Sequence, residues 1–152
     1  MGLSSTGAAI VAAPVAENIM APVSVVLIGL DPDLIDFSAP AYSAYPGLDA
    51  AKVRAGLEAD AARLRELGYA PEICLVDFGQ TAESVVRELL RRKLFDAVMI
   101  GAGVRLIVEN TALFEKLINI VHVHAPQAKF CFNTRPTDTA EAVQRWFLPR
   151  AR

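Results

Sequence analysis

Apolar positions along the chain fall into alternating runs of two kinds. Val23 to Leu30, "VSVVLIGL", is almost entirely apolar and rich in β-branched residues, the pattern of a strand covered on both faces. From Asp49 the period lengthens. Val53, Leu57, Ala61 and Leu64 form one helical stripe, with Asp49 as the N-cap and Gly68 as the stop near Leu67. "EICLVDF" (Glu72 to Phe78) predicts a second strand. Thr81 opens a second helix with Val85, Val86, Leu89 and Leu90 on its apolar face. Arg91, Arg92 and Lys93 fill its last turn, where the helix dipole favours cations. "DAVMIG" (Asp96 to Gly101) predicts a third strand, and a third helix follows from Val108 to His124. "KFCFN" (Lys129 to Asn133) predicts a short fourth strand, and Asp138 with Glu141 has the capping-box spacing of a last helix.

The order β-α-β-α-β-α-β-α with right-handed crossovers predicts an α/β fold, a doubly wound parallel sheet of about four strands between helical layers. Over Val23 to Leu148 this order resembles the flavodoxin-like and Rossmann-like class of three-layer sandwich. The first and third strands are the most apolar, so they belong in the centre; the fourth is short and opens on Lys129, as an edge strand would. These features predict the strand order 2-1-3-4. Such a sheet binds ligands in the crevice beyond the C-terminal ends of strands one and three.

The chain has 152 residues, which fits a single α/β domain over 22–152, preceded by a tail over 1–21. The tail is rich in small residues, and little fixed structure is expected of it. No Lys or Arg precedes Lys52, so the tail lacks the cationic region of a secretory signal and the arginines of a transit peptide. Pro14, Glu17, Asn18 and Pro22 interrupt its apolar residues before they could span a bilayer. The expectation is a cytoplasmic protein with no membrane partner. A net charge of −2 gives no general pull toward nucleic acid. Cys74 and Cys131 fall in different strands without Cys-x-x-Cys spacing, which predicts buried reduced thiols and no structural zinc.

Hydrophobic residues make up 53% of the chain, and those of the helix over 108–124 cover more than one face. Such a surplus predicts a homodimer or higher homo-oligomer through that helix. The alternative is cover by the long irregular stretch from Asp31 to Leu48, which carries Phe37, Tyr42 and Tyr45. A loop of that length is usually functional or interfacial.

Candidate chemistry gathers at the crevice. In Gly101-Ala102-Gly103 the glycines allow backbone N–H groups to approach an anion, or alternatively close a tight strand-to-helix corner. Leu106 stands where a dinucleotide fingerprint needs its third glycine, and the segment is no P-loop. Arg105 and Arg135 follow the third and fourth strands, and Asn133 and Thr134 add donors, which together suggest a carboxylate or phosphate clamp. Arg105 could instead pair with Asp31, Asp33 or Asp36. Asp31, Asp33 and Ser38 border the same crevice from the loop after the first strand. The two aspartates could hold magnesium with a substrate phosphate, or serve only as turn formers. His122 and His124 lie two apart at a helix C-terminus, so they cannot readily share an ion, and they sit away from the crevice.

The sequence therefore predicts a site for a small anionic ligand at Asp31, Asp33, Ser38, Gly101, Ala102, Gly103, Arg105, Asn133, Thr134 and Arg135. It assigns no catalytic residue, metal ligand or cofactor. Two other classes remain open: a self-associating scaffold without a ligand, and a magnesium-dependent hydrolase or phosphotransferase using the acidic loop.

Overall fold

A computed structural model describes residues 21–150. The expected tail, apart from Ala21, lies outside them. Four strands, β1 (Ser24–Leu30), β2 (Ala70–Val76), β3 (Ala97–Ile100) and β4 (Lys129–Cys131), form one sheet in the order β2-β1-β3-β4. Every pairing is parallel, with Ile28 opposite both Cys74 and Ile100, and Met99 opposite Cys131. The central position of β1 and β3 follows from their composition: all of β3 and all of β1 except Ser24 are buried. This is an α/β fold of the flavodoxin-like and Rossmann-like class.

Two helical layers cover the sheet. Helices α1 (Ala50–Glu66) and α5 (Thr139–Gln144) pack Ala61, Leu64, Ala142 and Val143 against Val23, Val25 and Leu27 on one face. On the other face, α2 (Ala82–Arg92) and α4 (Thr111–His124) place Val86, Leu90, Leu113 and Leu117 against Val26, Ile28, Val98 and Ile100. Alternate residues of β1 thus enter opposite cores, as the two-residue period of a strand requires.

Several element ends differ from the pattern-based expectation, each for a local reason. Gly68, at φ 95°, stops α1, and the Ala70 amide bonds to Val23 at once, so β2 starts two residues before Glu72. The helix expected from Val108 begins at Thr111. Between β3 and it lie the short helix α3 (Ala102–Arg105) and a 3-10 turn at Val108–Asn110, pinned by the buried Asn110 side chain donating to the Gly103 carbonyl at 3.1 Å. The expected box of Asp138 and Glu141 gives way to a different bond set. The Asp138 carboxylate reaches back to the amides of Thr134 and Arg135, so it orders the loop before α5.

The apolar surplus of α4 is largely absorbed within the chain. Leu113, Leu117 and Val121 are buried, and Phe114, Ile118 and Ile120 pack partly against the same core. Val108 and Val123 remain 83% and 66% exposed. Cys74 and Cys131 are buried free thiols, and burial pushes each up to about 11, which keeps them protonated and unreactive. Among the described residues no helix is long and apolar enough to cross a membrane.

Candidate functional site

A cavity of about 350 Å³ opens beyond the C-terminal ends of β1 and β3. Its floor is Gly29 and Leu30 from β1 and Gly101 to Val104 at the start of α3. One wall is α1, which presents Lys52, Gly56 and Asp60 at successive four-residue steps, flanked by Val53 and Leu57. Ile35, Phe37, Tyr42 and Tyr45 of the long loop form the second wall, and Asn133 to Pro136 close the third. A recess of about 30 Å³ adjoins it, bounded by Asp60, Gly101, Asn133 and Thr139 among others. The size suits a small organic molecule, and the lining is mainly hydrophobic with a few polar groups.

Glycine is distributed unevenly around this cavity. Seven glycines lie among the described residues, and three of them, Gly47, Gly68 and Gly79, have positive φ. Those three need glycine for the backbone alone. The other four, Gly29, Gly56, Gly101 and Gly103, have ordinary backbone angles and all line the cavity. A Cβ at Gly101 or Gly29 would meet its nearest neighbour at 3.6 Å or 4.0 Å, and at Gly56 or Gly103 it would meet nothing within 4 Å. Neither φ nor crowding therefore demands glycine at the Gly101–Gly103 turn. The missing side chains leave open space instead.

Six of the ten residues singled out in the sequence line the cavity: Gly101, Ala102, Gly103, Asn133, Thr134 and Arg135. The other four face different partners. Asp31 and Asp33 meet Arg54 of α1, at 3.6 Å and 3.1 Å, and Asp31 also caps the Asp33 amide at 3.0 Å. The Ser38 hydroxyl donates to Asp36 at 2.5 Å, and that bond holds the Asp36 carboxyl below its usual range. Arg105 pairs with none of Asp31, Asp33 and Asp36. Its guanidinium bridges the end of β3 and the segment after β4, donating to the Ile100 carbonyl at 2.5 Å, to Asn133 Oδ1 at 3.0 Å and to the Asn133 carbonyl. It also lies 4.9 Å from the centre of the Phe132 ring. Burial lowers its pKa and the Asp138 charge opposes the shift, so the side chain serves as a cationic brace between β3 and the segment after β4.

The brace continues as a chain of hydrogen bonds. Asn133 Nδ2 meets the Thr139 hydroxyl at 3.2 Å, and that hydroxyl donates to Asp60 Oδ2 at 2.8 Å. Asn133 and Thr139 are buried, and Asp60 is half-buried on the cavity wall. Burial raises the Asp60 pKa, the Thr139 bond counters it, and the charges of Asp138 and Glu141 raise it further. At the rim, Lys52 Nζ donates to the Gly47 carbonyl at 2.6 Å, and Arg135 Nε donates to the Thr137 hydroxyl at 3.1 Å. Among the described residues neither cation forms a salt bridge.

Lys52, Gly56 and Asp60 were missed in the sequence, although a signal was present. Asp60 lies seven residues after Val53 and four before Leu64, so a carboxylate falls on the apolar stripe of its own helix. Gly56 interrupts the same helix where alanine would be the better helix former. The fold defines a doubly wound α/β domain with a crevice at its topological switch point. No protein-family model and no curated protein matches the chain.

Proposed function

We propose that the protein binds a small molecule with an apolar body and an anionic group, either carboxylate or phosphate, in the crevice beyond β1 and β3. The observation that carries this reading is the placement of the glycines. All four described glycines with no backbone need for glycine line this one cavity. Gly56 sits inside a helix, where it costs about 0.5–1 kcal/mol relative to alanine, and space for a ligand accounts for keeping it. The apolar lining, with Leu30 in the floor and Ile35, Phe37 and Leu57 in the walls, suits a hydrophobic body, while Lys52 and Arg135 supply charge at the rim.

Thermal-shift titration with 3-phenylpropanoate and phenyl phosphate tests the reading. Both probes should raise the melting temperature of the full chain by mass action, and the rise should shrink when Lys52 and Arg135 are both replaced by alanine. Equal shifts in the double variant would remove the anion-binding part. No shift with either probe would remove the reading.

A second reading is self-association, in the cytoplasm, through the surface at the two ends of α4. Val108 and Val123 are its exposed apolar residues. Light scattering that finds a monomer at micromolar concentration would end it.

A further inference from the structure

Asp60 is a carboxylate in the wall of a mainly apolar cavity, and its neighbours fix how it can hydrogen-bond. Arg105 has donors only, so the atom of Asn133 facing it is the amide oxygen, and the amide nitrogen then faces Thr139. A hydroxyl carries one proton. Thr139 accepts from Asn133 and gives that proton to Asp60 Oδ2. A chain that starts at a permanently charged guanidinium therefore ends by holding Oδ2 as an acceptor. Among the described residues, Thr139 supplies the one hydrogen bond to this carboxylate, and no lysine, arginine or histidine forms a salt bridge with it. The other charges that bear on it, Asp138 and Glu141, are themselves negative.

We propose that Asp60 binds a protonated amine of the ligand, so that the crevice takes an amphipathic molecule with an ammonium at its inner end and an anionic group at the rim. This rests on the crevice reading above and adds the second polar end. Thr139 occupies only Oδ2, so Oδ1 can accept from a ligand, and an ammonium also cancels the charge that burial disfavours. The approach is open, because Gly56 and Gly101 border the cavity beside Asp60 without side chains. The adjoining recess has room for about one water-sized group.

Isothermal titration of the full chain with phenethylamine and, separately, 3-phenylpropanoate tests the assignment. Phenethylamine should bind the parent chain, and Asp60→Asn should weaken it about ten-fold or more, the loss expected for one charge-assisted bond. The same variant should bind 3-phenylpropanoate no more weakly than the parent, since that probe has no donor for Asp60 and is relieved of a like charge. Equal phenethylamine affinity in the two proteins overturns the inference. So does a parent chain that binds 3-phenylpropanoate but not phenethylamine, an outcome that leaves the crevice reading standing. Failure of both probes to bind overturns both. Should Asp60→Asn not fold, the Asp60 carboxyl carbon resonance of the parent chain takes its place. It must move on addition of phenethylamine, and a fixed resonance overturns the inference.

Discussion

Arg105 grips Asn133 at two points, donating to its side-chain oxygen at 3.0 Å and to its backbone carbonyl as well. Two residues that a ligand clamp would aim outward are instead bonded to each other, and the arginine holds β3 to the chain after β4. The consequence is mechanical. Whatever enters the crevice meets Asn133 and Thr139 already locked in one orientation.

Arg105→Ala should therefore act on stability. It leaves the Ile100 and Asn133 carbonyls without their donor and removes the guanidinium from Phe132. A loss of about 1–3 kcal/mol is expected, visible as a melting temperature several degrees lower. Arg105→Lys should restore little, because a single ammonium cannot reproduce the fork that reaches both residues. Calorimetric melting of the three proteins checks this, and unchanged stability in Arg105→Ala would contradict the brace.

Gly56→Ala separates folding from binding. The added methyl meets nothing within 4 Å and improves the helix, so stability should rise by about 0.5–1 kcal/mol in urea unfolding. Gly56→Leu should fill part of the cavity and abolish the thermal shift given by 3-phenylpropanoate. A leucine variant that binds as the parent does would mean that Gly56 does not face the ligand.

Asp77 makes stability depend on acid. Its carboxylate accepts from the Thr81 hydroxyl at 2.6 Å and from the amides of Thr81, Gly79 and Ala82, capping α2 from four residues before Thr81. The Thr81 bonds lead in lowering its pKa to about 2. A depressed carboxyl pKa contributes stability that is present above the unfolded value near 3.8 and is lost as pH falls through about 2. Asp77→Ala should melt below the parent at pH 7, and the gap should close as pH approaches 2. A gap of equal size at both ends would point to packing instead.

Asp60 has the opposite sign. Burial raises its pKa, so the folded chain holds this proton more tightly than the unfolded one. Its ionisation lowers stability as pH rises from the unfolded value through the folded one. Relative to the parent, Asp60→Asn should gain stability across that window and keep the gain at higher pH. Urea unfolding from pH 3 to pH 7 measures the difference, and a variant that falls behind the parent as pH rises would show that the charge stabilises the fold.

The sequence by itself determined the sheet. Strand order followed from composition, because β3 and all of β1 after Ser24 lack polar side chains, while a short strand that opens on Lys129 suits an edge. The crevice followed from the order, since the connections leaving β1 and β3 run to opposite faces of the parallel sheet and leave a gap between them. The turn Gly101–Gly103 and the segment Asn133–Arg135 were legible as its borders for the same reason. Side-chain partners across the crevice were not. Arg105 lies 28 residues from Asn133, and Thr139 lies 79 from Asp60. Composition cannot choose among the acceptors within an arginine's reach, and the distances that make the choice exist only once α1, β3 and the loop before α5 are packed together. The helical phase of α1 placed Asp60 on the buried stripe, yet only the packed structure shows that this stretch of the stripe faces a cavity and not the core.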